Sequence, residues 1–329
     1  MKTKKYRRFF KSLFDAGDIP EDLYNALIAK IDAEGRMNRR VYEFFLSELE
    51  RRRLFEVDGT PFSTENSAKT DGTFKYKSPK NPFWHIGHAI TSSIFKFLGW
   101  FASGFVFGVW RVPDRKKLKG IGACISVSNH VGYLDAVLTR YAFACRKQYI
   151  VVAPHNCKNN FGGAILKSAT VIPLPISFHG SKAFSDMLMY VKVRNGALHF
   201  YPEKSMWVGY KKPRPLKDGP FHFADRFDIP VIPMLYVYPQ PRGIRKLLHL
   251  PKMAIKIGDP LYADFTLPVA ERDADLKQRT QDAMKKLYED FYGVPLTYLD
   301  AELPQPESSE GQAAEVQSDG DAPNTPVSE

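Results

Sequence analysis

Cysteine is scarce in this sequence, which has only Cys124, Cys145 and Cys157 among its 329 residues. Three cysteines without a C-x-x-C pair provide neither a disulfide framework nor the ligand spacing of a zinc site. The histidines show no metal-ligand spacing either. The pattern predicts buried thiols in a reducing compartment and no bound metal. A cysteine nucleophile would need a base beside it, and only Cys157, two residues after His155, comes near that requirement. We set this alternative aside.

The sequence also lacks a secretory signal, a nucleic-acid-binding module and an internal repeat. Five cations lie within residues 1–8, but the apolar run that follows is only Phe9-Phe10. This run is too short for the hydrophobic region of a signal peptide, so we do not interpret the N-terminus as one. Neither zinc-finger spacing nor the aromatic signature of an RNA-binding domain occurs. We therefore expect no nucleic-acid partner.

From residue 113 onward, short apolar runs alternate with stretches of helical periodicity. This alternation predicts an α/β domain with a central, largely parallel sheet flanked by helices. The strands are predicted at 121–127, 148–153, 170–174, 197–201, 231–238 and 253–257. The helices of this domain are predicted near 134–145, 180–193, 218–226 and 272–291. Two earlier helices are predicted at 20–33 and 38–55, before a polar loop that extends to residue 82.

Two polar motifs follow predicted strands. The first is Asn-His-Val-Gly-Tyr-Leu-Asp at 129–135, and the second is Phe-Tyr-Pro-Glu-Lys-Ser at 200–205. A histidine can accept a proton near neutral pH, and a nearby carboxylate can fix its tautomer. A regular helix would separate His130 from Asp135 around its axis, so we expect a turn at Gly132 with Asp135 in the first helical turn.

Each of these residues also has an ordinary structural interpretation. His130 could be a strand-end histidine that bonds to backbone, and Glu203 a turn carboxylate after a proline. Asp135 would favour a helix N-terminus whether or not a site is present. The functional interpretation places His130 and Glu203 together, because the carboxyl ends of parallel strands lie at one edge of a sheet and ligands gather there.

The order of these motifs resembles the glycerolipid acyltransferases of the lysophosphatidic acid acyltransferase type. That family has a His-x4-Asp motif followed by a Phe-Pro-Glu-Gly-Thr block, and the resemblance covers about residues 115–260. It implies that His130 is a general base oriented by Asp135. The base would remove a proton from the hydroxyl of a lysophospholipid, and the oxygen would attack an acyl thioester directly. It also implies that Glu203 and Ser205 contact the acceptor and that Gly162 belongs to a second block.

The sequence departs from the family pattern where the family has phosphate-binding arginines. Leu174 or Pro175 stands at the arginine of the second block, and Met206 at the arginine of the third. Four nearby cations could supply the missing charge, although a lysine cannot reproduce the bidentate fork of an arginine. A solvated basic loop is the alternative interpretation. These cations are Lys204, Lys211, Lys212 and Arg214.

The resemblance predicts transfer of a fatty acyl group to a lysophospholipid, with 1-acyl-glycerol-3-phosphate as the acceptor, in phospholipid biosynthesis. Acyl-CoA or acyl-carrier protein would be the co-substrate, and no further cofactor is expected. The lost arginines leave two alternatives open. One is an acyltransferase for a glycolipid or an amine-bearing lipid. The other is a catalytically silent protein that binds a membrane surface.

Residues 87–110 form the longest apolar stretch and contain Lys96 as their only Lys, Arg, Asp or Glu. As a helix the stretch is long enough to cross a bilayer, but cations flank both ends and favour neither orientation. We predict a helix, or a helix pair broken around Gly99, that lies in or dips into the cytoplasmic leaflet. A spanning helix and a soluble core helix are the alternatives. Tryptophans that fit an interfacial belt are Trp84, Trp100 and Trp110.

The acids are unevenly distributed, since eight of the 36 lie from Asp300 onward, where there is no Lys or Arg. The preceding residues carry 47 bases against 28 acids, and so basic a body favours anionic partners such as membrane lipids, acyl-CoA or acyl-carrier protein. We predict an N-terminal helical region and polar loop (1–82) and a membrane-associating segment (83–112). An acyltransferase domain (113–299) and a disordered acidic tail (300–329) follow.

Overall fold

The computed structural model describes residues 2–65, 67–71, 74–76, 82–143, 147–158, 160, 163 and 170–300. Its α-helices are α1 (Thr3–Asp15), α2 (Glu21–Ala33), α3 (Arg39–Arg51), α4 (Pro82–Phe101), α5 (Asp135–Ala142), α6 (Phe178–Val193), α7 (Gly219–Phe227), α8 (Ile244–Leu247) and α9 (Val269–Tyr292). Its strands are β1 (Cys124–Ser128), β2 (Gln148–Val152), β3 (Val171–Pro173), β4 (Ala197–Phe200), β5 (Val231–Val237) and β6 (Ala254–Ile257). A π-helical turn at Ala102–Val106 and 3₁₀ turns at Pro113–Leu118 and Pro154–Asn156 complete the described elements.

The described strands form one six-stranded sheet in the order β3-β2-β4-β1-β5-β6. β1 to β5 run parallel, and β6 pairs antiparallel with β5 at one edge. All residues of β1, β4 and β5 are buried, which explains why the sequence gives them continuous apolar runs rather than alternating ones. The predicted α/β class with a central, largely parallel sheet is confirmed.

Helices cover both faces of the sheet. On one face, α6, α7 and α9 pack on side chains such as Ile125, Leu198 and Leu235. On the other face, α5 and the segment before β1 pack on side chains such as Ile232 and Met234. This two-sided packing leaves the carboxyl ends of the parallel strands as the open edge where loops can gather.

The first three helices form a hydrophobic cluster of their own. The sequence predicted α2 and α3 but not α1, which buries Tyr6, Phe9, Phe10 and Leu13 at the spacing of a helix face. Helix α3 ends at Arg51 instead of residue 55. Trp207 from the segment after β4 completes this cluster and is fully buried in it. The N-terminal helices therefore pack directly against the segment that carries the second motif.

Helix α4 corresponds to the predicted apolar segment. It does not break at Gly99 as one prediction had it, but continues to Phe101 and then enters the π-helical turn. The chain folds back at Gly108, which has a φ of 68°, and the Trp110 ring packs against Gly104. A β-carbon at Gly104 would lie 2.4 Å from that ring, so the fold-back requires a glycine there.

Candidate active site

The first motif begins where β1 ends, and Asn129 fixes its path. The Asn129 side chain is fully buried and bonds the backbone of Tyr236 on the neighbouring strand at both ends. Its Nδ2 donates to the Tyr236 carbonyl at 3.2 Å, and its Oδ1 accepts from the Tyr236 N–H at 2.8 Å. This side chain satisfies backbone groups that a strand end would leave unpaired, and it directs the next residues out of the sheet.

His130 and Asp135 lie in direct contact. Asp135 is the first residue of α5, and its Oδ2 lies 2.7 Å from His130 Nδ1. The same carboxylate accepts from the backbone N–H groups of Val131 at 3.1 Å, Gly132 at 3.2 Å and Ala136 at 2.7 Å. The loop between the two residues is therefore wound around the carboxylate, which is why a spacing of five brings them together.

Tyr201 supports the pair from the end of β4. Its hydroxyl donates to Asp135 Oδ1 at 3.0 Å, and its ring stacks on the His130 ring with centroids 4.1 Å apart. Burial and the adjacent Asp135 charge raise the Tyr201 pKa well above its usual value, so the hydroxyl keeps its proton and remains a donor. Tyr201 follows the strand directly, and sequence analysis did not assign it a role.

With Tyr201 and three backbone amides donating to it, the Asp135 carboxylate acts as an acceptor toward His130 as well. His130 Nδ1 then carries a proton, and its Nε2 presents a lone pair. None of the described residues bonds Nε2, and 22% of the His130 side chain is exposed against 2% of Asp135. The arrangement can accept a proton at Nε2 and stabilise the cation that forms.

Glu203 lies beneath His130 and does not face solvent. Its Oε2 accepts from the His130 backbone N–H at 3.1 Å and from Arg214 Nη2 at 2.7 Å, and its Oε1 accepts from the Arg214 N–H at 2.8 Å. Glu203 is 2% exposed and Arg214 is 1% exposed. In this structure Glu203 positions the backbone of His130 and neutralises a buried arginine.

Arg214 was predicted to supply charge to the acceptor phosphate, and the structure contradicts this prediction. Its five guanidinium N–H groups already have partners: Nε and Nη2 donate to Glu203, Nη2 also to the Ser205 carbonyl, and Nη1 to the Phe55 carbonyl and Ser205 Oγ. The guanidinium also lies over the Trp207 ring, 4.5 Å from its centroid. Arg214 is therefore a buried structural ion, and it has no donor left for a substrate.

Ser205 and two of the predicted lysines are also engaged elsewhere. Ser205 is 1% exposed and its hydroxyl donates to the Phe55 carbonyl at 2.9 Å. Lys204 pairs with Glu56 at 3.2 Å, and Lys212 pairs with the buried Glu50. Of the four predicted cations, only Lys211 is exposed without a hydrogen bond or ion pair to the described residues, and it borders a cavity.

One further carboxylate near the pair was missed by sequence analysis. Asp58 lies close enough to His130 and Arg214 for their charges to interact with it, although burial is the largest effect and raises the pKa of its carboxyl. Asp58 comes from the polar loop after α3, where the sequence gives no sign of a site. The N-terminal region thus contributes a titratable group whose charge interacts with that of the motif histidine.

The remaining predictions concern Gly162, the three cysteines and the absence of a metal site. Gly162 and Cys145 lie outside the residues that the structure describes. Cys124 and Cys157 are buried, as the sequence predicted for its thiols. Among the described residues there is no group of three or more His, Cys, Asp or Glu side chains that could hold a metal ion.

Comparison with known proteins gives a family match over the central part of the chain. The family model described as Acyltransferase matches residues 110–237, a range that contains β1 to β5, the His130–Asp135 pair and Glu203. Among solved structures, the chain is similar to the 1-acyl-sn-glycerophosphate (LPA) acyltransferase PlsC from Thermotoga maritima, with 15% identity and a TM-score of 0.44. This similarity covers 68% of the chain and 88% of that protein. No curated protein sequence matches the chain.

Proposed function

Residues 110–237 belong to the acyltransferase family, and we propose that this enzyme transfers a fatty acyl group from acyl-CoA or acyl-carrier protein to the hydroxyl of a lysophospholipid. The proposed acceptor is 1-acyl-glycerol-3-phosphate, which places the reaction in phospholipid biosynthesis. The observation that carries the proposal is the His130–Asp135 contact of 2.7 Å, with His130 Nε2 unbonded by the described residues.

In the proposed reaction, His130 Nε2 removes the proton of the acceptor hydroxyl while its oxygen attacks the thioester carbonyl carbon. A C–O bond forms, the C–S bond breaks, and the proton on His130 passes to the departing thiolate. Asp135 and Tyr201 hold the imidazole ring and favour its cationic form as the proton arrives. A thioester is already activated, so the reaction needs a base and good positioning more than a covalent intermediate.

The direct test is to incubate the purified protein with labelled acyl-CoA or acyl-carrier protein and a panel of lysolipids that includes glycolipid and amine-bearing acceptors. We expect product from 1-acyl-glycerol-3-phosphate. His130→Ala should lower turnover by about 10²–10⁴-fold, the range typical of a general base, with little change in the free energy of unfolding because the side chain is not part of the core. A variant that keeps more than about a tenth of wild-type turnover would exclude this role.

We propose that the enzyme acts at the cytoplasmic face of a membrane through α4. Within the described residues, the stretch Ala89–Val106 alone is long and apolar enough to cross a bilayer, and 18% of it is buried. Exposed apolar side chains line the helix, including Phe83, Ile90 and Phe97 at 80%, 57% and 61% exposure. An interfacial position buries these side chains in lipid and leaves the flanking cations near anionic headgroups.

A further inference from the structure

A cationic cavity of about 540 Å³ lies beyond the carboxyl end of β5. Three of its lining side chains are cations, and no acidic side chain occurs among the described residues that line it. None of the three makes a hydrogen bond or an ion pair with another described residue. The cations are Lys211, Arg242 and Lys252.

The cavity brings these charges together from three separate parts of the chain. Lys211 belongs to the segment before Arg214, Arg242 to the loop after β5, and Lys252 to the loop before β6. The neighbouring Lys212 is paired with Glu50, whereas Lys211 has no such partner among the residues that the structure describes. Three cations around one opening repel each other, and an anion between them would relieve that repulsion.

The cavity shares a wall with the segment that carries His130. Tyr238, which lines it, donates its hydroxyl to the Val131 carbonyl at 3.4 Å. The N–H of Gly209, two residues before Lys211, donates to the same carbonyl at 2.9 Å. Val131 directly follows His130, so these hydrogen bonds connect the wall of the cavity to the segment that carries the proposed base.

The last turn of α9 also faces this cavity through Phe291 and Tyr292. The C-terminus of a helix carries roughly half a negative charge, which by itself disfavours an anion. Three full positive charges exceed this contribution, and the arginine among them can offer a bidentate contact to phosphate oxygens.

We propose that this cavity binds the phosphate of one of the two substrates, and so replaces the phosphate-binding arginines that the motifs lack. The inference rests on the proposed function for the identity of the substrates. It concerns residues outside the motifs, and Arg242 and Lys252 also lie beyond the matched range 110–237. The ligand chemistry is a phosphate ester, either the headgroup of the lysolipid acceptor or the phosphates of coenzyme A.

The test uses the full-length protein with Arg242→Gln and Lys252→Gln combined. Its matched control is Lys285→Gln with Lys286→Gln, which removes the same charge from exposed positions of α9. Binding of a short-chain lysophosphatidate, of the monoacylglycerol that lacks its phosphate, and of coenzyme A is measured by equilibrium dialysis. We expect the cavity variant to weaken one phosphate ligand by about tenfold or more, while monoacylglycerol binding and the control variant do not change.

The phosphate ligand whose binding weakens in the cavity variant identifies the substrate. Weaker binding of lysophosphatidate alone assigns the cavity to the acceptor, and weaker binding of coenzyme A alone assigns it to the donor. In turnover assays the KM of the same substrate should rise while kcat stays the same. Unchanged binding of both phosphate ligands, or an equal loss in the control variant, would overturn the inference. A protein that binds these ligands through the cavity but transfers no acyl group would contradict the proposed function alone.

Discussion

At the scale of single residues, two neighbouring histidines have opposite surroundings. His130 is partly exposed and bonded to a carboxylate. His199 is fully buried, and its two ring nitrogens lie 2.9 Å from Ser126 Oγ and 3.2 Å from Ser128 Oγ. Burial lowers the pKa of His199 to about 3. His199 therefore stays neutral under ordinary conditions and supports Tyr201, while His130 has the counterion that proton transfer needs.

The lowered pKa of His199 makes the stability of the protein depend on pH. The unfolded chain protonates this residue near its usual pKa of 6.5, and the folded protein resists protonation down to about pH 3. The unfolded state binds more protons between these values, so the free energy of unfolding falls as pH falls, by at most about 1.4 kcal/mol per pH unit. Urea denaturation of wild type and His199→Gln at about pH 7.5 and about pH 5 measures this dependence of the free energy of unfolding on pH. The variant should be less stable than the wild type by a smaller free energy of unfolding at the lower pH. An equal decrease in the free energy of unfolding of both proteins would contradict the low pKa of His199.

At the scale of elements, the buried Glu203–Arg214 pair connects the end of β4 to the segment before α7. Arg214→Met should lower the free energy of unfolding by roughly 3–5 kcal/mol, because it leaves Glu203 buried without a counterion. Adding Glu203→Gln to this variant should restore part of the loss. Lys204→Gln breaks the exposed pair with Glu56 and should cost no more than about 1 kcal/mol. Chemical denaturation compares the three variants, and a similar small loss in all of them would show that the buried pair is not needed for stability.

The strands and most helices could be predicted from the sequence because their side chains repeat with the period of the element. The family could be recognised as well, since motif order follows strand order, and the match over residues 110–237 confirms it. Helix α1 was missed because basic residues obscure its apolar face. The prediction for Arg214 was wrong because sequence position does not give side-chain direction. A cation in a polar loop suggests solvent, but here the backbone carbonyls of Phe55 and Ser205 and the Glu203 carboxylate enclose it.

At the scale of the whole molecule, the exposed apolar side chains of α4 form the surface through which we propose that the protein binds a membrane. We expect it to sediment with phospholipid vesicles, and Trp100→Asp with Phe101→Asp to release it. High salt should weaken attachment only in part, because screening acts on the basic residues but not on apolar burial. Val193→Asp with Val294→Asp, at exposed apolar positions outside α4, is the matched control and should remain bound. Complete release of the wild type by salt would exclude an inserted α4.

The insertion of Trp207 into the N-terminal cluster has a consequence for the order of events during synthesis. Its indole N–H donates to the Val57 carbonyl across 150 residues, so the first three helices leave the ribosome long before the side chain that completes their core. At about 5–20 residues per second, this delay lasts roughly 8–30 s. During that interval the apolar side chains that Trp207 later covers stay exposed, and exposed apolar surface of this kind makes a nascent chain prone to aggregation until the segment after β4 is synthesised.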